Sequence, residues 1–351
     1  MRRTTSAAGV SLSIAVVVLM LTSGLDGQTR SAGAYAAPRT AWGSPDLQGI
    51  WTTDDGRSTP LQRPAELGDR RYLTDEEFAE RKRRDDETRG DTRAGTGTFV
   101  GEVGTRTLRQ TSLVVDPSDG RIPALTADAQ RRAAVDQAAQ QGRGPADSFE
   151  DRSMMERCVS RGVLGILPGL YGNGLRIVQT PGFVAVGYEM IHETRVIPIG
   201  ATSAEPPARP DIRSYMGVSA GRWEGDTLVV ETTHFNDRLA IQRARTTGAL
   251  RLIERFTRIA DETIDYEVTV DDPGTWVRPW SVLVPLSSQP GYQVFPFECH
   301  EGNHALRNML TGAREEERAI RDAIEKGLPP PPPPPPGVNV LPPDPSFGRP
   351  R

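Results

Sequence analysis

Two runs of alternating residues constrain this chain more than anything else in it. Over 227–233, Leu228, Val230 and Thr232 fall on one side of an extended backbone and Val229, Glu231 and Thr233 on the other. Over 263–270, Ile264, Tyr266, Val268 and Val270 alternate with Asp265, Glu267 and Thr269. Strand side chains point to opposite faces with a period of two, so each run predicts a strand with one dry face and one wet one. Short runs rich in Val, Ile, Thr and aromatics recur between Cys158 and Cys299, at 175–179, 183–190, 195–199, 250–258, 276–284 and 293–299, with Gly, Asp and Pro between them. Spacing this short suits antiparallel neighbours. Glu224-Gly225-Asp226 reads as a tight hairpin turn with Gly at positive φ, and the unit that begins at Asp226 is echoed from Glu262. Two successive hairpins of a meander are therefore expected. So many strands with one dry face must curl into a barrel or pair as a sandwich.

The flanks read differently. In 37–157, a short strand at Asp46–Thr52 is followed by irregular, Gly-, Asp- and Arg-rich chain with two helices. The first, Leu73–Arg89, is almost wholly charged and starts at a Thr74/Glu77 capping box. The second, Ala127–Gln141, is Ala- and Gln-rich behind a Thr126 cap. The β core spans 158–303, and C-terminal helices fill 304–327, where Ala305, Leu306, Met309, Leu310 and Ala313 share one face that Ile320, Ala323 and Ile324 continue. Gly327 and Pro329 end this helix pair. The tail, 328–351, opens with the polyproline run Pro329–Pro336, a spacer or a segment that contacts a partner.

Residues 1–36 read as a signal peptide and leader. Met-Arg-Arg precedes the uncharged, mostly apolar run Gly9–Leu21, which is too short to span a bilayer. Ala34-Tyr35-Ala36 has the form of a cleavage site. The expected location is periplasmic or extracellular, with no membrane span. The formal charge of −4 falls to about −6 once the leader takes away three arginines and one aspartate, which disfavours nucleic acid as a partner. In an oxidising compartment the two cysteines, Cys158 and Cys299, most economically form one disulfide, worth roughly 5 kcal/mol in the chain-entropy model. Two buried thiols are the alternative.

His300-Glu301-Gly302-Asn303-His304 satisfies H-E-x-x-H, the zinc motif whose two histidines share one helix face. Gly302 costs about 1 kcal/mol in a helix interior, and Asn303 reads more naturally as an N-cap. A divalent metal such as zinc at His300 or His304 is accordingly the secondary reading. Between two strand candidates, Tyr188, Glu189, His192, Glu193 and Arg195 cluster, with Glu193 and Arg195 on one face and His192 on the other. The acid–base candidates are His300, Glu301, His192 and Glu193. The ligand-binding candidates are Arg195, Tyr188, Trp223 and His234. No G-x-S-x-G elbow or phosphate-binding glycine loop follows a strand.

Gly49-Ile50-Trp51 resembles the G-x-W opening of lipocalin-type barrels, in which the Trp closes one barrel end. More broadly, Ser44–Trp51, Asp119–Pro123, Glu156–Cys158, Tyr188–Pro198, Gly221–Thr232 and Cys299–Asn303 are similar to a large group of exported bacterial proteins with no settled activity. In that group Tyr commonly takes the place of His304, which favours His300 and Glu301 over the full motif. The expected fold is mainly β with accessory helices: an antiparallel meander, a lipocalin-like barrel or a sandwich, with C-terminal helices. The expected function is an exported small-molecule-binding protein with its cavity closed by those helices. The alternative is a periplasmic hydrolase or lyase using His300 with Glu301 or Glu298 as an acid–base pair, with or without a metal.

Overall fold

The structure, a computed structural model, describes residues 35–93, 104–169, 171–200, 211–289, 291–295, 297 and 299–332. The leader over 1–34, Glu298 and the tail from 333 onward lie outside them. The chain is mainly β. In order it runs β1 (Gly49–Thr52), α1 (Asp75–Arg93), β2 (Val114–Asp116), α2 (Ala127–Gln140), β3 (Gly174–Gln179), β4 (Phe183–Tyr188), β5 (Thr194–Pro198), β6 (Val218–Glu224), β7 (Thr227–Thr233), β8 (Ala240–Ile241), β9 (Ala244–Arg245), β10 (Arg251–Ala260), β11 (Thr263–Asp271), β12 (Trp280–Ser287) and α3 (His304–Glu325).

One antiparallel sheet of ten strands carries the fold, in the order β5-β4-β3-β1-β12-β11-β10-β7-β6, with β2 added to β12. β6 and β7 form the expected hairpin, Glu224 opposite Thr227, with Gly225 at φ 60°. The dry face of β11 is fully buried at Ile264, Tyr266, Val268 and Val270. These join Leu252 and Phe256 of β10, Val282 and Val284 of β12, and Leu175 and Ile177 of β3 in one continuous core. β1 lies in the middle of the sheet, pairing β3 at Trp51↔Leu175 and β12 at Thr52↔Ser287. The sheet curls until its two end strands meet, but no ladder joins them. A single parallel bridge, Ile199↔Gly221, and the bond from Gly200 N–H to the Gly221 carbonyl (2.8 Å) make the contact. The barrel expectation is thus corrected to a curled, unclosed meander.

Local rules explain both the successes and the differences. Thr74 and Glu77 exchange their capping-box bonds at 2.9 and 3.3 Å, and the Thr126 side chain accepts from Ala129 N–H at 3.1 Å. The run 276–284 enters the sheet only at Trp280, because Pro279 has no N–H to donate and Trp276 belongs to the preceding turn. The described residues of the run 293–299 form no strand, and the Phe295 N–H bonds to the carboxylate of Glu189 instead of a neighbouring strand. In place of a helix pair, α3 is one 22-residue helix that continues through Gly312. It ends as the sequence indicates: Gly327 takes φ 66°, its N–H bonds to Ile324 O, and Leu328 N–H bonds to Ala323 O. Cys158 and Cys299 form the disulfide.

Candidate functional site

Two of the buried polar clusters among the described residues take in residues singled out in the sequence. The first lies inside the curled sheet. Arg195 of β5 forms a two-armed ion pair with Glu254 of β10, at 2.5 Å from Nη1 and 2.7 Å from Nη2. Tyr266 Oη donates to the same carboxylate at 3.0 Å, and Arg195 Nη1 also reaches Thr232 Oγ1 at 3.2 Å and Ser219 Oγ at 3.4 Å. Burial alone works against the Arg195 charge, but Glu254 outweighs it and raises the guanidinium's pKa. Burial, reinforced by Glu254, likewise holds the Tyr266 phenol protonated well above its usual range. Arg195, the residue at the centre of this network, therefore ties the first end of the sheet to β6, β7, β10 and β11, across the gap that no ladder closes.

The second cluster sits against the loop Gly162–Gly174, which carries five glycines. Its turn, Val163–Ile166, is wholly buried and packs into the main core. A cavity of about 10 Å³ is lined there by Arg161, Asn173, Tyr188, Met190 and Glu193, together with glycines of the loop. Glu193 Oε2 accepts from Ser160 Oγ at 2.9 Å and from Arg161 N–H at 3.2 Å. Burial pushes the Glu193 carboxyl up, and those two bonds only partly offset it. Burial also pushes the Tyr188 phenol to about 12, so it stays a hydrogen-bond donor at neutral pH. Behind the lining, Asn173 Nδ2 donates to Asp54 Oδ1 at 2.7 Å, and desolvation raises the Asp54 pKa. Glu189, 3% exposed, receives Gly174 N–H at 3.1 Å, Phe295 N–H at 2.8 Å and the Tyr292 hydroxyl.

Of the residues singled out in the sequence, Tyr188 and Glu193 come together at this cavity, while Arg195 belongs to the interior network. The histidines stand apart. His192 is exposed on the turn between β4 and β5, at φ 62°. His234 follows β7 and bonds its neighbour Thr233 through Nδ1 at 2.8 Å. Trp223 packs against the main core from β6. His300 and Glu301 are exposed ahead of α3, and Gly302 at φ 64° keeps them off the helix that His304 begins. Asn303 is the N-cap, accepting from Leu306 N–H at 3.4 Å. The two histidines of H-E-x-x-H consequently do not share a helix face, and among the described residues no group of three or more His, Cys, Asp or Glu is placed to hold a metal ion.

Sequence reasoning missed Glu254, Arg161 and Asp54 as site residues and left Glu189 uncommitted. For Glu254 a signal existed: it is a charge between Leu252 and Phe256 on a dry strand face. Arg161, Asp54 and Glu189 offered none, since their partners are loop backbone or lie far along the chain. Compared with known proteins, the chain matches no family model, no curated protein and no solved structure.

Proposed function

We propose that the protein is an exported small-molecule-binding protein whose ligand is taken at the glycine-loop site, on Glu193, Tyr188 and Arg161. The observation that carries this reading is the Glu193 carboxylate beside a small cavity, with only its Oε2 engaged, by Ser160 and Arg161. Ligand sites pair apolar walls with a few convergent polar groups, and here Leu175, Ile166 and Met190 supply the walls. The charged N-terminus, its apolar run and the disulfide support export. The acid–base alternative on His300 and Glu301 has less support, because both side chains stand exposed on a turn, and among the described residues neither has an orienting partner; Glu298 lies outside them.

The test is native mass spectrometry of the mature protein purified from the periplasm, with a thermal-shift screen of small polar metabolites. A bound molecule or stabilising compound is expected for the wild type and lost in Glu193→Ala. Retention of the same molecule by Glu193→Ala, or a ligand that protects His300 instead, would overturn the assignment. Elemental analysis of the same sample checks the metal-assisted alternative directly: stoichiometric metal lost in His300→Ala would favour it.

A further inference from the structure

A second concave site lies away from the glycine loop, where α2 faces β9. Asp128, Arg131, Arg132 and Val135 recur at i, i+3, i+4 and i+7, so they share one face of the helix, and Arg245 of β9 completes the lining. Between them runs an open groove of about 370 Å³, within the size range of small-molecule sites. Both walls are fastened to one turn. The buried Asp272 carboxylate accepts from Thr247 N–H, just after β9, at 2.7 Å and from Gly274 N–H at 3.1 Å. On the other side Thr126, the cap of α2, bonds Thr275 O through its N–H at 3.0 Å, and Arg132 Nη2 bonds Gly274 O at 2.9 Å.

The three arginines are not equally satisfied. Arg131 pairs with Asp128, and Arg245 Nε lies 3.3 Å from Asp136, both pairs in contact with solvent. Pairs exposed in this way contribute little to stability, so an incoming anion displaces them at small cost. Arg132 differs: among the described residues its partners are Gly274 O and Thr275 Oγ1 (3.4 Å), both uncharged. Val135, 66% exposed, and the methylene stems of the arginines set apolar surface beside these cations.

We infer that this groove binds a carboxylate that carries an apolar body, with Arg132 as anchor, Arg131 and Arg245 beside the head group and Val135 against the body. The residue types dictate that class. A guanidinium matches a carboxylate through two parallel bonds, and Arg132, held to the turn through Nη2, presents Nη1 and Nε for them. Three arginines against Asp128 and Asp136 leave one positive charge, which one carboxylate neutralises. A bare inorganic anion would leave most of the groove and Val135 wet, and a neutral apolar molecule would leave Arg132 without a counter-charge.

The test uses the full mature chain with octanoate as probe, and acetate and 1-octanol as controls that carry only the head or only the body. Binding is followed by NMR of the Arg132 Nε–H and the Val135 methyls. Octanoate is expected to shift both saturably and to bind at least about tenfold more tightly than either control. Arg132→Gln should weaken octanoate about tenfold, read at Val135. Arg245→Gln, which leaves the contact of Arg132 with Gly274 in place, should weaken it about threefold. Octanoate no tighter than acetate, shifts that spare Arg132 and Val135, or unchanged affinity in both variants would overturn the assignment. Glu193→Ala should leave octanoate affinity unchanged; its loss there would place the carboxylate at the glycine loop and overturn this site.

Discussion

The interior network and the glycine-loop cluster use the same chemistry to different ends. Each sets a glutamate among tyrosine and hydroxyl donors with an arginine close by. Inside the sheet, every group stands on a strand, and Glu254 meets Arg195 through two parallel bonds with Tyr266 on one of the same oxygens. Beside the glycine loop, Glu193 and Glu189 stand on the turn between β4 and β5 and are met mostly by backbone N–H groups and single hydroxyls, and a void remains beside Glu193. Strand register fixes the position of a side chain on both sides, so a polar group there has to be satisfied by its opposite neighbours or the sheet does not form. A glycine-rich loop has no such constraint. Polar groups on rigid elements become structure, and those on loops are left available.

The largest test of this contrast is Glu254→Ala, which leaves a fully buried guanidinium without a counter-charge. Removing one partner of a buried pair costs roughly 3–5 kcal/mol, and chemical denaturation should show a loss of that size. Replacing both members, Arg195→Met with Glu254→Met, should recover most of it, because a buried pair is often near break-even against apolar residues. Failure of the double variant to recover would mean that Arg195 also holds the sheet ends through Ser219 and Thr232. Next in size is the disulfide. The Cys158→Ser/Cys299→Ser pair releases a loop with a sequence separation of 141, and a loss of about 2–5 kcal/mol in the denaturation free energy is expected. Gly174→Ala should cost about 1–3 kcal/mol by crowding Glu189 and Tyr292, while also abolishing ligand retention. Equal loss of stability with ligand retained would place the contact of Gly174 with Glu189 and Tyr292 outside the ligand site.

The same contrast explains what could be read in the sequence. Alternation at 227–233 and 263–270 marks both runs as strands, although Val229, on the expected wet face of β7, is buried as well. The positions of β1, and of β5 against β6, could not be read that way: which strand lies next to which depends on pairings across more than 100 residues for β1, as Trp51↔Leu175 shows. Arg195 was legible as a ligand-binding candidate on the same face as Glu193, yet its partner decides its role, and Glu254 lies 59 residues away. H-E-x-x-H shows the reverse failure. The letters match, but Gly302 at positive φ separates the first histidine from the helix. Glu189 was read as one member of a local polar cluster, and the return of the chain at Tyr292 and Phe295 supplies two of its hydrogen-bond donors.

The smallest expected effect has the most informative sign. Burial raises the Glu193 pKa above that of the unfolded chain, so between the unfolded and folded values the native state binds more protons. The contribution of this group to stability is fully present below the ordinary glutamate range, and it is lost as pH rises through the folded value. Glu193→Gln cannot ionise, and it keeps an acceptor for Ser160 Oγ and Arg161 N–H. Its stability should therefore match the wild type at low pH and equal or exceed it, by less than about 1 kcal/mol, near neutrality. The measurement is the denaturation midpoint of both proteins against pH, and the quantity of interest is the slope of their difference. A variant that becomes less stable with rising pH would mean that the Glu193 carboxylate is held by its partners as firmly as Glu254 is, which would move the glycine loop from the available class into the structural one. The predicted slope, reversed when a stabilising ligand is present, would identify Glu193 as a charge the fold carries at a cost and the ligand relieves.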